Sequence, residues 1–246
     1  MRDEHQPLAT VAPLPNVAAL TALIRRLQDR KFGLPGLGVF HGFSGFGKSM
    51  AAAFATVKFQ AITVECKSSW SAKTLCQAIL RELGLPDRGS IPDLTERIGE
   101  QLAISGRTLI IDETDHLMSR SKIEIVRDIY EISDAPIVLI GEETLPNKLA
   151  QWERVHGRVL SWVAAQPGTL ADVEPLAAIY CPGIEVSEEL RKRLVAEAKG
   201  SIRRICVNLT LIRECALETG VTRVDAKAWG DRKFFSAQPP APRRGY

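Results

Sequence analysis

Gly42-Phe43-Ser44-Gly45-Phe46-Gly47-Lys48-Ser49 satisfies the pattern GxxxxGK followed by Ser or Thr without a mismatch. Glycines at this spacing let backbone N–H groups turn inward around a phosphate, and a helix starting at the end of the loop adds partial positive charge. In such a loop the stretch from Gly42 to Met50 forms the cradle. Lys48 reaches the β- and γ-phosphates, and the Ser49 hydroxyl ligates Mg²⁺. An ordinary glycine-rich turn has the same residues, so the setting decides. An apolar run, Leu37-Gly38-Val39-Phe40, precedes the loop and an alanine-rich run to Lys58 follows it.

The loop alone does not say which nucleoside triphosphate is bound or whether it is hydrolysed. Leu109-Ile110-Ile111-Asp112-Glu113, roughly 60 residues further on, addresses both questions. Asp112 would close a buried strand, where a carboxylate holds the Mg²⁺ hydration shell. Glu113, directly after it, is placed to polarise an attacking water. The alternative is a strand that merely ends in a polar turn. An adjacent Asp-Glu favours an ATPase over a GTPase. The nearest approach to a guanine-reading NKxD box, Asn147-Lys148-Leu149-Ala150, lacks the aspartate.

These residues need a frame to hold them. Asn16 reads as the N-cap of a helix over 17–32 with Leu20, Leu23, Ile24 and Leu27 on one face, broken by Gly33-Leu34-Pro35-Gly36. Strands are expected at 37–40, 59–65, 108–111, 136–140 and 159–164. Helices at 48–58, 71–83, 92–104, 122–132 and 145–154 alternate with them. That alternation predicts an α/β fold with a parallel five-stranded sheet between helices. After Gly168 the pattern turns to helices only, at 170–180, 187–199, 202–219 and 225–234, which predicts a small all-helical lid. The expected organisation is a flexible arm (1–15), a nucleotide-binding domain (16–168), the lid (169–235) and a disordered basic tail (236–246).

Composition sets the outer bounds. With 45% hydrophobic and 25% charged residues among 246, the chain is globular rather than disordered. No run of 18 apolar residues appears, which excludes a helical membrane span, and the N-terminus lacks the apolar region of a secretory signal. Five cysteines at 66, 76, 181, 206 and 215 form no CxxC pair. This argues against a disulfide framework or zinc site and for a reducing compartment, hence a cytoplasmic protein. Residues 1–189 hold 19 basic and 24 acidic side chains, a net of −5, whereas 190–246 hold 13 and 5, a net of +8. The basic C-terminal segment is either a nucleic-acid footprint or a solvated helical face.

Together these motifs resemble the AAA+ ATPases, with Walker A at 42–49 and Walker B at 109–113. Gly200-Ser201-Ile202-Arg203-Arg204 looks like the family's sensor 2. The resemblance implies that Arg203, or failing that Arg204, reaches the γ-phosphate from the lid. Val138 to Leu145 resembles the strand ending in sensor 1. Glu142 and Glu143 stand where the family shows Asn or Thr, and Thr144 is the nearest hydroxyl. Arg154 and Arg158 fall where AAA+ proteins carry the arginine finger. The His156-Gly157-Arg158-Val159-Leu160 context favours Arg158, although either arginine would equally make a surface ion pair. A finger acting in trans implies that hydrolysis requires assembly into a ring or helical filament.

Within AAA+, the chain over about 14–235 is similar to the short ATPases that regulate DNA transposition, of the phage Mu B and Tn7 target-selection types. Pro15-Asn16-Val17 looks like their adenine-contacting segment. This likeness implies an ATP- and Mg²⁺-dependent protein that binds duplex DNA without sequence preference and delivers it to a transposase. Lys67-Ser68-Ser69-Trp70-Ser71-Ala72-Lys73 would face the pore of such a ring, and Ser119-Arg120-Ser121-Lys122 forms a second basic-hydroxyl patch. Lys67, Lys73, Arg120 and Lys122 are phosphate-contact candidates, since such contacts position without reading sequence. In each loop one serine is expected to cap the following helix. His116, Trp152, Trp162, Cys206 and Cys215 read as structural. The alternative function is an AAA+ motor or switch acting on a protein (secretion, clamp-loader-like or initiator-like). Lys, Ser and Arg in these loops, in place of an aromatic-hydrophobic-Gly pore loop, favour DNA.

Overall fold

The computed structural model describes residues 12–236. The arm over residues 1–11 and the tail over 237–246 lie outside the described residues. Two compact units are present. The first comprises Pro15–Ser44 and Lys48–Gln166, and the second holds the chain from Pro167 onward with the loop residues Gly45–Gly47 and residues 12–14.

In the first unit, β1 (Leu37–His41), β2 (Ile62–Glu65), β3 (Leu109–Asp112), β4 (Ile137–Gly141) and β5 (Val159–Ala164) form one parallel sheet in the order β2-β3-β4-β1-β5. Helices α1 (Pro15–Gln28), α2 (Lys48–Phe59), α3 (Ala72–Glu82), α4 (Ile91–Ser105) and α5 (Arg120–Ser133) alternate with the strands, followed by the short α6 (Leu145–Leu149) and α7 (Glu153–His156). This is the expected α/β architecture with its five-stranded parallel sheet. Alternation along each strand divides the burial between two faces. Leu37, Val39, Ile62, Val64, Leu109, Ile111, Ile137 and Leu139 share a core with Leu75, Ile79, Leu94, Ile98, Ile123 and Val126 of α3, α4 and α5. On the other face a Cβ at Gly38 would sit 2.9 Å from the Leu23 and Leu27 side chains of α1, so only glycine lets that helix lie so close.

Register places the chemistry. His41 pairs with Gly141 across β1 and β4, and Ile111 pairs with Leu139 across β3 and β4. The C-terminal ends of these three strands therefore share one edge of the sheet.

In the second unit α8 (Leu170–Tyr180), α9 (Glu188–Ala198) and α10 (Ile202–Thr219) bury Val173, Leu176, Leu190, Leu194, Ile205, Leu209 and Ile212. The C-terminal segment is helical as expected, with one addition. Two-residue strands β6 (Glu185–Val186) and β7 (Arg223–Val224) pair in parallel. The last helix, α11 (Ala226–Trp229), is shorter than the expected 225–234 because Gly230 takes φ +62°. Asn208 is fully buried. Its amide donates to the Phe235 carbonyl at 3.2 Å and its oxygen accepts the Phe235 N–H at 2.7 Å, fixing the chain after α11.

Four local expectations change. The helix over 145–154 is two short helices, because Trp152 leaves helical geometry (φ −113°, ψ 73°) to pack its indole on the core. The strand over 59–65 begins at Ile62, since α2 runs to Phe59 and Gln60 ends it with φ +50°. The flexible reading fails at Ala12 and Leu14, which are buried. Asn16 is not the cap of α1, which begins at Pro15. Asn16 is 5% exposed. Its amide donates to the Gln166 carbonyl and its oxygen accepts the Gln166 N–H, both at 2.8 Å. Asn16→Ala removes both bonds. It is expected to lower the unfolding free energy by about 1–3 kcal/mol, seen as a lower urea midpoint at unchanged slope. A wild-type midpoint would mean that water replaces the asparagine without loss.

Candidate nucleotide-binding site

The glycine loop leaves β1 at Gly42 and enters α2 at Lys48. Close approach is required at Gly42, where a Cβ would lie 2.9 Å from the Ala165 side chain. Gly45 and Gly47 both take φ +86°, which a side chain would strain. In the second unit the Arg203 N–H donates to the Gly45 carbonyl at 3.2 Å, and a Cβ at Gly45 would meet the Ser201 hydroxyl at 2.5 Å. Phe43, Ser44 and Ser49 are exposed, and Phe46 and Met50 are half-buried.

Lys48 folds back along the loop. Its ammonium donates to the Gly42 carbonyl at 2.6 Å and the Phe43 carbonyl at 3.0 Å. Burial pushes its pKa below the ordinary lysine value, against the pull of Asp112, Glu113, Glu143 and Asp115. Burial, and then the same ammonium, hold the His41 imidazole at the end of β1 below the usual histidine range.

Asp112 ends β3 and is 6% exposed. One of its oxygens accepts the Glu113 N–H at 2.8 Å. Glu113 follows with φ +54°, a conformation that turns the chain out of the strand into the 3-10 turn Thr114–Leu117. Burial and then the Asp112 charge push the Glu113 carboxyl above the usual carboxylate range, opposed by Lys48. No group of three or more His, Cys, Asp or Glu able to hold a metal occurs among the described residues. Mg²⁺ keeps most of its waters and needs few protein ligands. Ser49 and Asp112 are the residues present to hold it. The glycine cradle, the adjacent ammonium and this donor set fit a Mg²⁺-bound triphosphate.

One part of the site was missed by motif reading. Asp115 bonds the Lys148 ammonium at 2.6 Å and accepts the Glu142 N–H at 2.7 Å. A Cβ at Gly141 would fall 2.3 Å from the Asp115 carboxylate, so the end of β4 must be glycine for that carboxylate to seat. Lys148 also lies 3.7 Å from Glu142. This pairing raises the Lys148 pKa. Thr144, the candidate hydroxyl at this strand end, is exposed and makes no cap bond to α6.

Of the remaining candidates, Arg203 touches the loop through its backbone N–H. Arg158 is half-exposed and paired with Glu131 of α5 at 2.6 Å through two of its nitrogens, while Arg154 is exposed. The Arg203 side chain is exposed at the start of α10. Lys67 pairs with Glu65, Lys122 donates to the His116 carbonyl at 2.5 Å, and Lys73 and Arg120 are exposed. Lys67 and Lys122 both act on the Cys66 thiol, which burial and Asp112 nevertheless push up to about 12. Ser71 caps α3 through the Thr74 N–H. Ser119 occupies the cap position of α5 without making the bond. All five cysteines are buried and free. Trp162 is more exposed than a packing role predicts, with its ring 5.3 Å from that of His156.

Residues 30–149 match the family model described as AAA domain. The matched segment holds the glycine loop, Asp112, Glu113, Asp115 and Lys148. No curated protein sequence matches the chain. Among solved structures, the Aeropyrum pernix ORC2 protein in its ADPNP–ADP complexes superposes with a TM-score of 0.60 at 16% identity, covering 87% of this chain and 65% of that one. The ORC1 protein of the same organism in complex with DNA gives 0.62 at 18%, covering 87% and 62%. Cdc6p of Pyrobaculum aerophilum gives 0.62 at 16%, covering 86% and 64%. The likeness is one of fold, and the chain spans less than two thirds of each of these structures.

Glu113 yields a pH test. A carboxyl whose folded pKa is raised destabilises the fold once ionised, so its penalty is present above the folded pKa and gone below the ordinary carboxylate value. Glu113→Gln is therefore expected to raise the Tm at pH 7 and to match wild type at about pH 4. A Tm difference independent of pH would break the link to ionisation.

Proposed function

We propose that the chain is an ATP-dependent AAA+ ATPase that assembles on duplex DNA without sequence preference and delivers it to a transposase-type partner. The observation that carries the nucleotide part is Lys48. One half-buried ammonium at the mouth of a glycine loop shares the sheet edge with Asp112 and Glu113. In this reading Lys48 leaves the Gly42 and Phe43 carbonyls for the β- and γ-phosphates, and Gly42 to Met50 line the cradle. Ser49 and Asp112 hold Mg²⁺, which when bound neutralises the phosphate charge. Glu113 orients and polarises the attacking water, a task favoured by its raised pKa. Arg203 supplies a lid cation. The adenine role of Asn16 falls to its neighbourhood, because its amide is engaged with Gln166.

Arg158 is the finger offered to a neighbouring protomer. Its bond to Glu131 is an exposed ion pair, worth about 0.2–1 kcal/mol, so it can change partner at small cost. The DNA part rests on Lys67, Lys73, Arg120 and Lys122 and on the basic segment from 190. Two structures of similar fold, the A. pernix ORC1 protein and Drosophila ORC, hold DNA.

Lys48→Ala is expected to abolish or severely weaken ATP binding in a calorimetric titration. Glu113→Gln is expected to bind ATP and Mg²⁺ but lose hydrolysis by 10²-fold or more. Wild-type turnover in Glu113→Gln would remove the water-activating role.

A mixing experiment addresses assembly. Arg158→Ala keeps an intact loop, and Lys48→Ala keeps an intact Arg158. Recovered ATPase activity in the mixture is the expected result. No recovery, with both variants folded and assembling, would remove Arg158 as a finger in trans.

A further inference from the structure

A cleft of about 630 Å³ opens in the second unit between the end of α9, the start of α10 and the chain after α11. Five cations line it: Arg193, Lys199, Arg204, Arg232 and Lys233. Only two acids, Glu197 and Asp231, oppose them. Arg232 is taken up by Glu218 at 3.3 Å and by the Trp229 carbonyl. Arg193, Lys199, Arg204 and Lys233 form no ion pair with any described residue, though carboxylates stand nearby. Unneutralised positive charge gathered into a concavity favours an anion with several charges.

The cleft also says what kind of anion. Its aromatic ring, Phe234, is stacked on Trp229 at 5.0 Å and carries the Arg193 guanidinium 5.9 Å above its centroid. That ring is committed and offers no platform for a base. An acidic peptide would need an apolar anchor pocket to bind well, and this lining supplies none. Lysine and arginine without base stacking or planar amide readers are the chemistry of phosphate-backbone contact, which positions a duplex and reads no sequence.

We infer that this cleft is a phosphate-backbone site for duplex DNA, a second contact surface separate from the Lys67–Lys73 loop. The inference rests on the DNA-binding reading above. Tail residues Arg243 and Arg244 lie outside the described residues and are not needed for it.

The test is binding of fluorescent 30-base-pair duplexes of three unrelated sequences, from 50 to 200 mM salt. Wild type is compared with Lys199→Gln/Lys233→Gln and with that pair plus Arg193→Gln, each checked for folding by Tm. The double variant alone decides if Arg193→Gln, which removes a contact to Phe234, fails to fold. Each lost phosphate contact flattens the slope of log affinity against log salt by about 0.9. The double variant should flatten it by about 1.8, so wild type loses roughly tenfold more affinity than the variant over this range. The loss should be equal for all three sequences. A folded double variant with the wild-type slope overturns the cleft site and leaves the DNA reading intact. Unequal losses among the sequences overturn the backbone-only assignment. Wild type failing to bind any duplex at 50 mM salt, with or without a non-hydrolysable ATP analogue, overturns the DNA reading itself.

Discussion

The ammonium of Lys48 is drawn by four carboxylates, Asp112, Glu113, Glu143 and Asp115, yet donates its hydrogen bonds to the carbonyls of Gly42 and Phe43. The rest of the site follows from that imbalance. Asp115 is already neutralised by Lys148, but Asp112 and Glu113 stand together with little opposing charge. A triphosphate arriving there would meet more negative charge than positive. It is accommodated only if a divalent cation comes with it and further cations come from outside the sheet edge. The parallel sheet makes this arrangement possible, since the ends of β1, β3 and β4 arrive at one edge in register. Glycine at 141 makes it close, because any Cβ there would displace the Asp115 carboxylate and with it the anchor of Lys148.

How much of this was legible in the sequence follows the range of each interaction. Lys48, Asp112 and Glu113 are readable because a loop, a strand end and a helix start are local patterns. The sheet is readable because buried parallel strands are apolar throughout. Asp115 is different: its partners lie 27 and 33 residues away, and no local pattern announces them. Asn16 was misread for the same reason. An asparagine before an apolar helix looks like a cap, whereas its partner Gln166 is 150 residues distant. The division of 145–154 depends on burying one indole, a packing outcome that helical periodicity does not encode. Strands of two residues carry too little pattern to be seen at all.

Two asparagines do equivalent work in the two units. Asn16 and Asn208 each give both amide functions to the N–H and C=O of a single residue, Gln166 and Phe235. A side-chain amide used this way imitates one rung of a sheet ladder. It satisfies backbone groups where no strand is available to pair with them. In the first unit it fastens the start of α1 to the chain leaving β5. In the second it fastens the stretch after α11, which carries Phe234 and Lys233, so the basic cleft has a fixed wall.

If Arg158 is the finger proposed above, little energy separates a protomer at rest from one engaged with a neighbour. Its guanidinium lies on Glu131 with both groups nearly half exposed. Water screens such a pair, and only about 0.2–1 kcal/mol is lost when it breaks. A phosphate in a water-excluded interface offers far more to the same guanidinium. In that reading the intrachain pair is a resting position that does not compete seriously with assembly. The sequence supplies this balance by placing Glu131 on α5 at the surface: a partner buried beside Arg158 would hold it too firmly to be released. The same reasoning separates Arg158 from Arg30, which is 8% exposed and bonds Asp134 and the Leu27 carbonyl. Arg30 is built into the fold, whereas Arg158 lies on its surface.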